Sequence, residues 1–328
     1  MRALGDQPLL RDAPKDEIRR LGERMEHFDA PAGAVLIKEG DPGSRFLLVE
    51  RGRVAIRHAH HPRDVAVLGP GSLVGELSVL RRAPRTATAV ALDEVRGFSG
   101  DRDALLALFA AAPDAAIEVA RLAAGRLAAF ASPVAVTLDS GLRLHVRPIL
   151  PDDRARAAEA MAALSERSRY MRFFTPGGIP EPLLDQLVGV DYSHHFAWVA
   201  LASDEPGESY LGSCRYIRSE DEPDLAEVAF GVADRHQGEG IGKLLMGALI
   251  VVARVQGIRR FKADVLSDNR PMIAILERAG ASKWQLGPVT STTFDVPPVG
   301  TLLPPGSVAE QLRAAAELVA SAAPAVAL

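Results

Sequence analysis

Two segments of this chain carry residues able to hold phosphate, by different chemistry. The first is Val74-Gly75-Glu76-Leu77-Ser78 followed by Pro84-Arg85-Thr86-Ala87-Thr88-Ala89. Arg85 can offer a charge-assisted fork to anionic oxygens, and Glu76 can accept the proton of a ribose hydroxyl. Gly75 lets a turn come close, and the N–H groups around Leu77 and Ser78 can cap a phosphate as a short helical turn does. Together they suit one small nucleotide; a Glu76 to Arg85 ion pair inside a ligand-free barrel is the competing reading. The second segment, Gln237-Gly238-Glu239-Gly240-Ile241-Gly242, is a glycine loop opening a helix that contains Lys243. Successive N–H groups at such a start, unobstructed at the glycines, stabilise a pyrophosphate. By itself a glycine loop can equally be a simple turn.

Bulk properties narrow the field. At 328 residues, 48% hydrophobic and 24% charged, the chain has room for about two globular domains, each with its own core. The formal net charge of -4 gives no electrostatic reason to expect nucleic acid. A single cysteine, Cys214, excludes an internal disulfide framework and fits a reducing cytosol; it reads as a small buried residue on a strand. The sequence opens with no basic leader and apolar run, and no stretch is apolar over about 18 residues, so no membrane span and a cytoplasmic location are expected. His58, His60 and His61 share a loop beside Pro62 with no acidic or cysteine partner nearby. They read as a solvated turn, and no metal is expected.

The elements that must position the two segments differ in kind. Apolar spacing predicts a helix from Asp16 to about His27, then short strands broken by glycine: Ala34 to Ile37, Phe46 to Val49, Val54 to Ile56, Val65 to Leu68, Thr86 to Ala91 and Glu94 to Phe98. Even spacing of such strands suggests a small barrel or jelly roll. Asp101 is placed to cap a helix through Phe109, and a second helix runs from about Pro113 to Phe130. Ser132-Pro133 ends it, so the domain boundary is set there. Strands at Leu142 to Val146, Phe196 to Leu201, Tyr210 to Ile217, Ala226 to Val232 and Arg260 to Leu266 then alternate with helices from Pro151 to about Leu164, Gly240 to Gln256 and Pro271 to Ala279. The expected fold is therefore α+β in two domains: a barrel or jelly roll with flanking helices over residues 1–131, a linker over 132–140, and a mixed α/β domain over 141–300. In the tail, 301–328, Ser307 and Glu310 read as a capping box, and Val308, Leu312, Ala315 and Val319 form one apolar helical stripe.

The order G-E-L-S-x-L then P-R-T-A-T-A, within glycine-punctuated strands, resembles the phosphate-binding cassette of cyclic nucleotide-binding domains over residues 15–130. The resemblance implies that Gly75, Glu76, Leu77, Ser78, Arg85 and Thr86 bind cAMP, with cGMP not distinguished by Thr86, and that Arg121 to Phe130 closes over the base. Val232-Ala233-Asp234-Arg235-His236-Gln237-Gly238-Glu239-Gly240 resembles the strand-to-helix motif of GNAT acetyltransferases, and Asp268-Asn269-Arg270-Pro271-Met272 leading to Leu276-Glu277-Arg278-Ala279-Gly280-Ala281 resembles that family's second cofactor motif. This implies an acetyl-CoA site formed by Val232, Gln237, Gly238, Glu239, Gly240, Ile241, Gly242, Lys243 and Asn269. A dinucleotide fold is the competitor, but it wants the glycine loop after a first strand with an acid about 20 residues on, which is not evident.

A lysine amine with a reference pKa near 10.4 is neutral in only about one molecule in 10³ at pH 7, so a carboxylate base is useful. The GNAT resemblance implies Glu227 for that task, with a cross-strand salt bridge as the alternative, and the Val232 N–H as donor to the thioester oxygen. Many relatives place a tyrosine as proton donor where Leu276 stands. Leu164 to Phe174 and Asp191 to Phe196 resemble segments of bacterial protein lysine acetyltransferases that modify acyl-CoA synthetases, so Arg169, Arg172 and His195 either line an acceptor channel or are solvated. The two domains in this order resemble actinobacterial cyclic AMP-regulated protein lysine acetyltransferases. The implied function is cAMP-controlled transfer of acetyl from acetyl-CoA to protein lysines, acyl-CoA synthetases being the expected partners and the tail either a lid over the acceptor site or a permanently packed helix. Two other functions fit the same residues: a GNAT enzyme acting on a small amine, and a cAMP-dependent binding module whose second domain only holds CoA.

Overall fold

Short apolar runs separated by glycines become strands in the first part of the chain because each run can cover only one face of a small core. The computed structural model describes residues 2–58, 64, 66–174, 177–203, 209–303 and 306–322. Two compact units are built on residues 1–130 and 131–320.

The first unit opens with helices α1 (Arg2–Gly5) and α2 (Lys15–Gly22). The helix expected to reach His27 stops at Gly22, and His27 lies in a strand. Strands β1 (Glu26–Ala30), β2 (Val35–Ile37), β3 (Phe46–Arg51), β4 (Val54–Arg57), β5 (Ala66–Leu68), β6 (Leu73–Val74), β7 (Thr88–Ala91) and β8 (Val95–Gly100) form two antiparallel sheets, ordered β1-β8-β3-β6 and β2-β7-β4-β5. This is the expected jelly-roll arrangement. Between β6 and β7 lies the short helix α3 (Glu76–Arg81), and α4 (Arg102–Ala111) and α5 (Pro113–Phe130) follow. Asp101 caps α4 as expected, Oδ1 accepting from Ala104 N at 2.9 Å. Leu48, Phe46, Leu105 and Leu108, all at 0% exposure, anchor the core between one sheet and the helices.

In the second unit one sheet of eight strands runs β15-β16-β14-β13-β12-β11-β10-β9. Its strands are β9 (Val134–Thr137), β10 (Arg143–Pro148), β11 (His195–Ala202), β12 (Tyr210–Arg218), β13 (Leu225–Val232), β14 (Arg260–Leu266), β15 (Trp284–Gln285) and β16 (Val289–Asp295). The stretch expected as linker, 132–140, thus contains an edge strand paired to β10. The helices are α6 (Arg154–Ala162), α7 (Glu166–Phe173), α8 (Glu181–Val188), α9 (Ile241–Val255), α10 (Arg270–Arg278) and α11 (Ser307–Ala320). Neither α7 nor α8 was anticipated: α7 buries none of its residues, and α8 has only eight residues, although Leu183, Leu184, Leu187 and Val188 recur in it at helical spacing.

Among the described residues, only β13 and β14 pair in parallel. Their register pairs Leu225 with Arg260, Ala226 with Phe261 and Glu227 with Lys262, and then ends. Past Glu227 the two strands part, since β14 continues with β16 to Leu266 while β13 continues with β12 to Val232. A gap between them results, opening toward the glycine loop. Helix α9 covers one sheet face: the Trp198 indole donates to the Ala248 carbonyl at 3.0 Å, and Cys214, buried as expected, donates to that of Leu245 at 3.2 Å. Helix α11 packs along α9 and on β9 and β10, burying Leu312, Ala316 and Val319. Strand alternation puts Glu227 on the opposite face from Trp198 and Cys214. A lid over the Glu227 face would require α11 to leave α9.

Among the described residues no helix is long and apolar enough to cross a membrane.

Candidate nucleotide and active sites

In the first unit the cassette depends on one backbone conformation. Gly75 has φ +80°, and a Cβ there would lie 2.5 Å from Arg85 Nη1 and 2.6 Å from Ile37 Cδ1. Only glycine admits both the angle and the approach. The turn launches α3 and buries Glu76, Leu77 and Ser78 at its start. Ser78 Oγ donates to the Pro84 carbonyl at 3.1 Å, tying the helix to the following loop. Arg85, 8% exposed, donates from Nη1 to the Gly75 carbonyl at 2.8 Å and from Nη2 to the Arg45 carbonyl. Burial pulls its pKa below the ordinary arginine value, opposed by the charges of Glu76 and Asp41.

The competing reading, an ion pair between Glu76 and Arg85, is not what forms among the described residues. Glu76 Oε1 instead accepts from Arg126 Nη1 at 3.1 Å, and Glu76 Oε2 is buried with no hydrogen-bond partner. An orphaned carboxylate oxygen is costly, and a hydroxyl donor would satisfy it. It lies in a pocket walled by Ile37, Ile56, Val74 and Phe130 and lined also by Arg85 and Thr86. The residues therefore fit a ligand carrying a ribose hydroxyl, an anion and an apolar ring. Arg126 was not singled out from sequence, although it falls inside the segment expected to close the site. The available signal was its place one helical turn before Phe130 on α5.

His58 corrects an expectation. Its ring lies against Phe130, centroids 5.0 Å apart and interplanar angle 27°, with Glu39 Oε1 3.7 Å from Nε2. It is thus part of the packing rather than a solvated turn; His60 and His61 lie outside the described residues. Among the described residues no cluster of three metal-ligating side chains occurs.

In the second unit the glycine loop follows β13 through a single turn, Asp234–His236. Gly238 and Gly240 take φ of +85° and +97° with open space where a Cβ would point, while a Cβ at Gly242 would meet Ile275 Cδ1 at 2.8 Å. The open glycines suit close approach by a ligand, and a side chain at position 242 would require Ile275 of α10 to shift. Gln237 braces the loop, Nε2 donating to Asp234 Oδ1 at 3.0 Å and to the Val232 carbonyl at 3.3 Å. His236 Nδ1 is 3.1 Å from Glu239 Oε2. Asp234 Oδ2 accepts from Ser165 N at 2.8 Å, fastening the start of α7 to the loop. Ile241 is buried and anchors α9, so only its backbone faces the loop; Lys243 is exposed. Asn269 caps α10, accepting from Met272 N at 3.3 Å. The Ala233 N–H donates to the Leu211 carbonyl at 2.8 Å, toward β12, so by alternation the Val232 N–H points into the gap beside β14.

Glu227 stands at the closed end of that gap, exposed. Among the described residues it makes no ion pair, which removes the cross-strand salt bridge: Lys262 Nζ lies 3.6 Å from Asp264 Oδ2 instead. Leu276 is fully buried and offers no proton.

Arg215, His195 and Ile217 share the Glu227 face of the sheet. Burial, then the charge of Arg215, lowers His195 to about 4, so the ring is neutral at physiological pH. Arg172 reaches this face too, but Arg169 donates to the carbonyls of Leu164 and Ala162 and stitches α6 to α7. Of the expected channel residues, Arg172 and His195 are brought together with Glu227. Arg215 was missed, although a charge inside an otherwise apolar strand was the signal.

The cyclic nucleotide-binding domain family matches residues 28–112, and the acetyltransferase (GNAT) domain family matches residues 143–282. Acetyltransferase Pat of Mycolicibacterium smegmatis is 40% identical over 303 residues, covering 91% of this chain and 90% of that protein. The CRP-like cAMP-activated global transcriptional regulator of Mycobacterium tuberculosis is 36% identical over 113 residues, 34% of this chain and half of its own length. Among solved structures, a cAMP-binding acyltransferase from Mycobacterium smegmatis aligns over 99% of this chain and 96% of its own, with 36% identity and a TM-score of 0.51.

Proposed function

This chain, in which a cyclic nucleotide-binding domain precedes a GNAT domain, belongs to the family of acetyltransferase Pat, and we propose that it transfers acetyl from acetyl-CoA to lysine ε-amines of proteins at a rate set by cAMP. Acyl-CoA synthetases and other metabolic enzymes are the proposed acceptors, on the resemblance carried by Leu164 to Phe174 and Asp191 to Phe196. The observation that carries the catalytic half is the placement of Glu227: ion-pair-free, exposed, and at the point where β13 and β14 part.

In this mechanism the carboxylate of Glu227 takes a proton from the acceptor ammonium, directly or through one water. The neutral amine attacks the thioester carbonyl in the gap, while the Val232 N–H donates to the oxygen as negative charge develops. The C–S bond breaks, the sulfur leaves as thiolate, which its pKa near 8.5 permits without a tyrosine at Leu276, and the second proton of the attacking nitrogen passes to water. The N–H groups from Gly238 to Lys243 hold the pyrophosphate. In the first unit, Arg85 would leave its backbone carbonyls for the cyclic phosphate, and Glu76 Oε2 would accept the ribose hydroxyl. Coupling between the two sites of about 1–3 kcal/mol would change affinities by about 5- to 150-fold.

One assay tests this: acetylation of a purified acyl-CoA synthetase by the full-length protein, with and without cAMP. Lysine acetylation that responds to cAMP supports the reading. Acetylation of free polyamines in place of the synthetase would move it to a small-amine enzyme, and cAMP binding without any acetyl transfer would leave only a binding module.

A further inference from the structure

The face of the sheet that carries Glu227 holds more positive charge than its neighbours neutralise. Arg147 on this face is answered in full, Nη1 and Nη2 each 2.7 Å from an oxygen of Asp153. Arg215 is not. It is 4% exposed, two residues along β12 from the register partner of Glu227. Its Nη1 donates to the Leu187 carbonyl at 2.9 Å and lies 3.3 Å from the neutral His195 Nε2, and its Nε is buried without a partner. Arg172 crosses from α7 over Gly231, where a Cβ would sit 4.0 Å from its Cδ. Among the described residues no carboxylate forms an ion pair with either guanidinium. Burial, then the repulsion of Arg215, pulls Arg172 down to about 10; only Tyr210 and Glu227 oppose this, and Glu227 contributes less than Tyr210.

Cations gathered out of water without an anion are destabilising, and a charged ligand that completes them is bound with the corresponding gain. We propose that Arg172, backed by Arg215, is a carboxylate-binding subsite beside Glu227, filled by an acidic side chain of the acceptor close to the target lysine. It rests on the protein-acetylation reading above. Arg172 makes the contact because, though mostly withdrawn from water, it keeps some exposed surface, while Arg215, 4% exposed against Leu187 and His195, strengthens the field. The acceptor is the source that the geometry favours, since Arg172 shares the face of Glu227, where the amine must arrive. A dicarboxylic acyl donor would present the same group from the gap side.

The test uses the full-length protein with saturating cAMP, acetyl-CoA and lysine peptides that differ only in carrying Glu, Gln or Lys beside the target. The Glu peptide should exceed the Gln peptide about tenfold in kcat/KM, mostly through KM, and the Lys peptide should be poorest. In Arg172→Gln the Glu-to-Gln ratio should fall to near one, whereas Arg172→Lys should keep part of it. Because the ratio is internal, partial loss of folded protein leaves it intact. Equal kcat/KM for all peptides, or a preference that survives in Arg172→Gln, overturns the subsite while leaving protein acetylation standing. If succinyl-CoA outpaces acetyl-CoA on the Gln peptide and Arg172→Gln removes that advantage, the carboxylate belongs to the donor and the proposal is overturned. If no peptide is acetylated, the functional reading fails and the subsite with it.

Discussion

Lys262 stands beside Glu227 in the last register pair of β13 and β14, yet its ammonium lies 3.6 Å from Asp264 on its own strand. Ser291 Oγ in turn donates to Asp264 Oδ1, so the side chain that holds Lys262 is itself held. The neighbouring cation is thus occupied, which leaves the Glu227 carboxylate without an ion pair among the described residues, as the proposed role of base requires.

Glu227→Gln should lower kcat by about 10²- to 10⁴-fold, the range for loss of a general base. Its Kd for acetyl-CoA, read by calorimetry, should stay at the wild-type value because the loop N–H groups are untouched. Near-normal kcat would remove Glu227 from the mechanism.

Asp264→Asn should release Lys262 to pair with Glu227 across the strands. A pair of that kind contributes about 0.2–1 kcal/mol, so kcat/KM should drop about threefold at neutral pH. Adding Lys262→Ala should restore it; if the double variant is as slow as the single, Asp264 acts by another route.

Arg85→Gln should weaken cAMP binding by about 10- to 100-fold, since a hydrogen bond to a charged partner contributes about 1.5–3 kcal/mol. Arg126→Ala should also weaken it, by leaving the Glu76 carboxylate without its cation at 3.1 Å. Titration calorimetry on the full chain reads both, and unchanged affinity in Arg85→Gln would place the nucleotide elsewhere.

Asp153 links stability to pH. Burial by itself would raise its pKa, but the bonds from Arg147, Leu150 N and Arg156 outweigh that and hold it below the ordinary carboxylate range. A carboxyl lowered by folding stabilises above its unfolded pKa, near 3.9, and loses that contribution as pH falls through the folded value. Asp153→Asn should therefore cost about 3–5 kcal/mol at pH 7, with the gap to wild type narrowing below about pH 4 in urea unfolding. A gap independent of pH would mean that the charge is not what matters.

Leu312→Ala should cost about 2–5 kcal/mol, as for a fully buried leucine, and lower Tm. Deleting residues 301–328 should lower it further, because α9 loses its cover. A deletion that raises basal turnover with Tm unmoved would instead show that the tail works as a lid.

Most long elements were legible from the sequence because their apolar period is unambiguous. Helix α5 occupies the expected Pro113–Phe130, and β14 the expected Arg260–Leu266. Elements with weak periodicity were not legible: α7 carries no buried residue, and β15 has only two residues. The strand Val134–Thr137 hid inside an apparent linker because an edge strand needs few apolar positions to pair.

The sequence by itself determined the two loop geometries. The positive φ of Gly75 before α3, and of Gly238 and Gly240 before α9, are demands of local backbone geometry, and local geometry is written in consecutive residues. Tertiary structure decided which charges meet. Glu76 and Arg126 are fifty positions apart, and Arg172 and Arg215 come from a helix and a strand whose apposition no local pattern encodes. Charges act through space, so their partners exist only once the chain has folded: the alternative reading paired Glu76 with Arg85, but Glu76 answers Arg126, and Glu227 was given a possible cross-strand partner that Asp264 holds instead.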